Sequence, residues 1–348
     1  MNLRPILTRI AWLLAFQTTL ATCANSPPPP PPDLKITEVP DALKAALKLS
    51  PFYKKYVDAS GFPVLGSEKV KDAAMLEAAR IVNKMLDGRD DIRAAIVKNK
   101  IRLAVMSVTE QTTDIPEHSD LTPKDYWNKR ARGLGATRQR PAVSCDEANL
   151  LHLPGDRYPN ENILVHEFGH VIHEMGLMSI EPAFDKELRN LYEADKKKGL
   201  WLRTYAMENH KEFWAEGVQS YFDTNDNNNY QHNDVDTRAK LEKYDPEFFA
   251  LLDKVFKQNA WHYERPGKPR PPRKEFPPAA LTVRNDSGES VSLYRVDNGN
   301  ETAHATIEAG RKYETTTFQT QKFRAKIAGR DAAQDFTVEG DKAEWVLK

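Results

Sequence analysis

His166-Glu167-Phe168-Gly169-His170 sets two imidazoles four residues apart, with a carboxylate beside the first. On an α-helix, at about 100° per residue, positions four apart share a face, so both rings can offer a nitrogen to one metal ion. Glu167 then stands where it can reach a water held by that ion, as a general base for hydrolysis must. Two histidines do not close a catalytic zinc site, which takes three protein ligands and keeps a fourth position open. A Gly seven and a His ten residues after His166 would supply a third histidine, but His173 and Gly176 occupy those positions, which excludes that pattern.

The third ligand must come from further along the chain. Between Asn209 and Phe222, the side chains Phe213, Val218, Tyr221 and Phe222 form an apolar face, and Asn209 with Glu212 has capping-box spacing. The stretch therefore reads as a second helix, from which Glu212 and Glu216 project on one side. Glu212 is read as the ligand, and Glu216 as the acceptor for the other ring N–H of a ligating histidine. Glu216 as the ligand is the open alternative, because helix geometry alone does not rank two carboxylates on one face.

The order His166 to His170, then Tyr205, then Glu212-Phe213-Trp214-Ala215-Glu216 resembles the catalytic domain of the anthrax lethal factor group of gluzincin metallopeptidases. The resemblance implies Zn2+ on His166, His170 and Glu212, with Glu216 supporting a histidine. Tyr205, seven residues before the ligand, would stabilise the oxyanion. The reaction implied is hydrolysis of a peptide or protein substrate, Glu167 taking the proton of the attacking water and returning it to the leaving amine.

Other polar residues read more plainly. His173 is a polar neighbour of the histidine pair, and His210 an exposed residue of a capping region that can touch substrate. Asp226, Asn227, Asn228, Asn229, His232 and Asp234 offer oxygens to calcium, but without the acidic spacing of an EF-hand loop they fit a solvated turn better. His232 is a minor candidate for a transition-state donor. Trp127, Arg130 and Arg132 border the cleft or pack at the surface, and Cys145 reads as a buried structural thiol.

The elements needed to position these groups can be followed along the chain. Asn160-Glu161-Asn162 gives the first helix a polar start, and Ile163, Leu164, Val165, Phe168, Val171 and Ile172 supply its apolar faces. Residues 67–86 have helical periodicity and 102–108 alternate as a strand. By the resemblance, that strand borders the cleft and pairs with an extended substrate. Residues 133–141 are too irregular to assign. Helices resume over 182–197 and after Asp245-Pro246, where Asp caps and Pro opens the turn. The expectation is an α+β chain: a mainly helical, zincin-like metallopeptidase domain with a small sheet over 40–263, followed by an all-β sandwich over 281–348.

In that second domain, short runs at 281–284, 291–296, 313–318, 323–327 and 344–347 are separated by Asn, Asp and Gly. Val283-Arg284-Asn285, Leu293-Tyr294-Arg295, Ile307-Glu308-Ala309-Gly310 and Thr317-Phe318 resemble, in order, the β domain of the von Hippel-Lindau tumour suppressor. That family binds hydroxyproline through a histidine and a tryptophan, where Gln321 and Phe323 stand in this chain, so the binding is not carried over. A targeting module and a passive stabilising domain are both consistent with the run of strands.

Composition bounds the rest. The chain has 348 residues, 40% hydrophobic, with 50 basic and 50 acidic side chains. It can bury a sizeable core, and it lacks the basic footprint of a nucleic-acid binder. Arg4 and Arg9 followed by the apolar run from Ile10 to Phe16 read as a signal peptide over 1–24, too short to span a bilayer, so the protein is expected to be secreted or in the cell envelope. Leu20-Ala21-Thr22-Cys23 also resembles a lipobox, which would make a lipidated Cys23 the one route to a membrane. Pro27 to Pro32 begin a stiff spacer over 25–39, and a second proline-rich linker covers 264–280. A monomeric, exported zinc metallopeptidase is the leading expectation. A binding protein on an inactive scaffold and a non-peptide zinc amidase are the alternatives, and an intact Glu167 counts against the inactive scaffold.

Overall fold

The computed structural model describes residues 33–202, 204–226, 233–265, 277–297 and 300–348. The signal segment, Cys23, Pro27 to Pro32, Asn227 to His232 and most of the second linker lie outside them. The fold is α+β. Its first part comprises β1 (Thr37–Glu38), α1 (Asp41–Leu47), β2 (Lys55–Ala59), β3 (Phe62–Gly66), α2 (Asp72–Met85), α3 (Asp90–Lys98), β4 (Arg102–Met106), α4 (Lys124–Arg130), β5 (Ala142–Asp146) and α5 (Glu147–Leu151). There follow α6 (Ile163–Val171), a π-helical segment (Ile172–Leu177), α7 (Met178–Ile180), α8 (Phe184–Lys198), α9 (His210–Tyr221), α10 (Arg238–Tyr244) and α11 (Pro246–Val255).

Strands β1 to β5 form one sheet in chain order, antiparallel from β1 to β3 and parallel from β3 to β5. Every residue of β3, β4 and β5 is buried, as expected of parallel strands covered on both faces. The strand at 102–106 is therefore internal, between β3 and β5, and is not the cleft-bordering edge expected from the sequence. Its apolar side chains belong in the middle of a sheet. The edges are β1 and β5, and the free side of β5 carries a single antiparallel bridge from Ser144 to Leu134. Pairing also begins earlier than expected: β1 lies inside the segment read as spacer, and Val39 is buried.

One large core runs through this part of the chain. Ala74, Met75, Ala78, Ala79, Ile81, Val82 and Met85 of α2 meet the sheet, and the helices behind add a dense aromatic group. Phe213 stacks on Phe248 at 3.9 Å between ring centroids, Trp214 lies against Phe256, and Trp201 closes over Phe213 edge-on. Gly217 is where α9 can approach α11, since a Cβ there would overlap the Phe248 ring.

The C-terminal strands are β6 (Pro278–Asn285), β7 (Val291–Asp297), β8 (Asn300–Ile307), β9 (Lys312–Phe318), β10 (Lys322–Ile327), β11 (Gln334–Thr337) and β12 (Lys342–Leu347). They form a four-stranded sheet, β11-β10-β7-β8, and a three-stranded sheet, β12-β6-β9, in which β12 runs parallel to β6. Leu281, Val283, Leu293, Phe323, Ile327 and Leu347 are buried in a core of their own. Phe323 is a core residue here, and so is not placed as a ligand-binding aromatic would be. Among the described residues, no helix is long and apolar enough to cross a membrane.

Candidate metal centre

The helix α6 starts where Asn162 caps it, its side chain accepting from the Val165 N–H at 3.2 Å. Asn149 Oδ1 accepts the next orphan donor, Ile163 N–H, at 2.9 Å. The start of α9 is fixed in the same way: Asn209 Oδ1 accepts from the N–H groups of Lys211 at 2.9 Å and Glu212 at 3.1 Å. Glu212 has capping-box spacing, yet its carboxylate faces the histidines instead of reaching back to the cap. The two helices pack closely at Gly169, where a Cβ would stand 3.4 Å from Val218 Cβ and 3.6 Å from Ala215 Cα. Trp214 Nε1 donates to Gly169 O at 2.8 Å across the same contact.

This packing brings three potential ligand atoms together. Glu212 Oε2 lies 3.2 Å from His166 Nε2 and 3.3 Å from His170 Nε2, and the two Nε2 atoms are 3.3 Å apart. Ligands bonded at 2.0–2.1 Å to a tetrahedral ion are separated by about 3.3 Å, so the trio has the span of one face of such a site. Of the two carboxylates left open by the sequence, Glu212 is the one that joins the imidazoles. Glu216 lies behind them, its Oε1 3.5 Å from His166 Nδ1 and without a hydrogen-bond partner.

The N–H of His166 goes elsewhere: Nδ1 donates to Gln219 Oε1 at 2.8 Å. The Gln219 amide is oriented by its own donations, to Glu161 Oε2 at 3.2 Å and Asn162 O at 3.3 Å. Its oxygen must then face His166, so Nδ1 carries a proton and Nε2 is the ring nitrogen turned to the ligand cluster. Sequence analysis missed Gln219 because a neutral amide carries no motif; its place seven residues after Glu212, on the same side of α9, was the available signal.

Three carboxylates, Glu167, Glu212 and Glu216, bear on the His166 imidazole. Burial alone would depress the His166 imidazolium, but Glu212, Glu216 and Glu167 outweigh it and push His166 up to about 10. Burial likewise opposes the Glu212 anion, yet the two imidazoles hold its carboxyl well below the usual range. Behind them, burial raises Glu216 to about 8 and Glu161 to about 7. Glu167 is raised by burial too, partly offset by His166 and His170. An ideal Cβ on Gly135 would lie 3.4 Å from Glu167 Oε2 and 3.3 Å from His170 Cβ, so the backbone leading into β5 forms a wall directly against both groups.

Tyr205 sits on a short 3-10 turn before α9, and its hydroxyl interacts with the side chains of both Glu212 and Arg130. Burial, then the Glu212 charge, push the phenol up and keep it protonated. Arg130 is thereby placed beside the cluster, whereas Arg132 is buried in an ion pair with Asp146 and takes no part in it. Cys145 is buried and free within β5, with its thiol pushed up by burial. His173 and His210 both turn away from the trio towards Asp185.

No family model matches the chain, and no curated protein matches it. Among solved structures it is similar to the PRO-PRO endopeptidase PPEP-2 from Paenibacillus alvei, with 15% identity and a TM-score of 0.32, over 57% of this chain and 98% of that one.

Proposed function

We propose that the chain is an exported zinc-dependent metallopeptidase in which His166, His170 and Glu212 hold the metal. The observation carrying this reading is the mutual 3.2–3.3 Å spacing of those three ligand atoms, with the Glu167 carboxyl beside them. Two nitrogens and one carboxylate, with a position left open, are a donor set suited to catalytic zinc. When bound, zinc supplies Lewis acidity for a carbonyl and makes water acidic enough to ionise near neutral pH.

The chain's own residues do the rest. Glu167, whose pKa burial raises above the ordinary carboxylate value, accepts the proton of the attacking water and delivers it to the departing amine. Tyr205, protonated at working pH, donates to the oxyanion as charge develops on it. Gln219 keeps the His166 tautomer fixed, and the Gly133 to Gly135 backbone limits the space beside Glu167. Export rests on the basic and apolar pattern of residues 1–24, and the lipobox-like Leu20-Ala21-Thr22-Cys23 makes Cys23 the residue that would carry a lipid anchor.

The test has two readouts on one protein. Metal analysis of the purified chain and an unbiased peptide library should give bound zinc and cleavage, and Glu167→Gln should keep the zinc while cleavage falls by about 100-fold or more. Zinc retained by a wild type that cleaves no peptide would replace this reading with a binding protein built on the same scaffold.

A further inference from the structure

His173, Asp185 and His210 form a second cluster of metal-ligating side chains, separate from the trio. His173 lies on the π-helical segment three residues after His170, Asp185 opens α8, and His210 opens α9 two residues before Glu212. Each imidazole directs Nε2 at Asp185 Oδ1, at 3.1 Å in both cases, and one ligand atom from each of the three residues lies within 4.8 Å of the others. Those N···O spans are near the tetrahedral separation of about 3.3 Å.

The surroundings are built around this arrangement. Arg189 Nε holds Asp185 Oδ2 at 2.7 Å, which turns Oδ1 to the imidazoles, as outer hydrogen bonds orient ligating carboxylates. His173 is fully buried against the rings of Phe184 and Trp214, while Asp185 keeps 20% of its side chain exposed, an opening for a water ligand. Glu174, the carboxylate next to His173, is engaged by Lys211 and is not available as a base.

We propose that His173, Asp185 and His210 hold a second divalent cation, zinc by the two-nitrogen, one-oxygen donor set, with water as the fourth ligand. The ion is structural. It ties α8 to α9 and to the π-helical segment that continues α6, through residues close to Glu212 and His170, and so fixes the separation of α6 and α9. This inference does not rest on the peptidase reading, because either cluster can be filled without the other.

The experiment is metal stoichiometry on the full chain, stripped, reloaded with Zn2+, dialysed and measured by elemental analysis, with circular dichroism confirming the fold. Wild type should hold about two equivalents, His166→Ala/His170→Ala about one, and the same double variant with Asp185→Asn none. A His166→Ala/His170→Ala variant that holds no zinc, or a remaining equivalent that survives Asp185→Asn, overturns the proposal and leaves Asp185 as a plain acceptor for two ring N–H groups. Should the double variant not fold, Co2+ titration of wild type and His210→Gln decides: the tetrahedral visible absorption should saturate at about two equivalents and about one, respectively, and identical end points refute the second site.

Discussion

Which nitrogen of His166 is free depends on an amide that no motif announces. Gln219 accepts the Nδ1 proton and is itself held by Glu161 and Asn162. Gln219→Leu is expected to weaken zinc binding by about 10–100-fold with the fold intact, measured by competition with a chromogenic chelator. Tyr205→Phe removes only a hydroxyl, so bound zinc should be unchanged while kcat falls by about 100- to 1000-fold; an equal loss of zinc would make Tyr205 a packing residue. At this scale the sequence was informative wherever chemistry demands a residue type: His166, His170 and a pair of carboxylates, Glu212 and Glu216, stood out by spacing, and packing brings Glu212 to the two imidazoles. It was silent about Gln219, and about His173 and His210 facing Asp185, because those pairings are made by tertiary packing between elements distant in the chain.

Helix ends and close approaches set the site at the next scale up. Asn209 caps α9 through two N–H groups, one of them belonging to Glu212 itself. Asn209→Ala should cost about 1 kcal/mol of stability in denaturant melts and loosen zinc binding, since the cap also positions the ligand. Gly217→Ala forces a methyl into the Phe248 ring and should destabilise by about 1–3 kcal/mol. The helices α6, α9 and α11 were readable from apolar periodicity and from Asn162, Asn209 and Asp245, each of which does cap its helix. The order of strands was not readable in the same way. An apolar run such as 102–106 reveals burial but not its neighbours, and β5 was hidden behind the Gly- and Arg-rich stretch before it. The π-helical segment after His170 was also invisible, because a change in hydrogen-bond register leaves composition untouched.

Across the whole molecule, burial of acids ties stability to pH. Asp195 is raised to about 7, first by burial and then by Asp245, against the pull of Lys198. A carboxyl whose folded pKa lies above its unfolded value of 3.8 favours the fold while protonated; that contribution is full below about pH 4 and is lost as pH rises towards 7. Asp195→Asn should therefore narrow the difference between urea midpoints at about pH 5 and about pH 8, and an unchanged difference would remove Asp195 from the account. Proline runs and turn-rich strands are compositional features, and β1 and β6 each begin a few residues earlier in the chain than the pattern of residues suggested. The pairing of the first and last strands of the sandwich has a mechanical consequence. Because β12 runs parallel to β6 through registered pairs from Lys342 opposite Ala280 to Leu347 opposite Asn285, the domain's two ends emerge at opposite poles. Tension applied between the linker and Lys348 would load these backbone bonds side by side in shear instead of unzipping them one at a time.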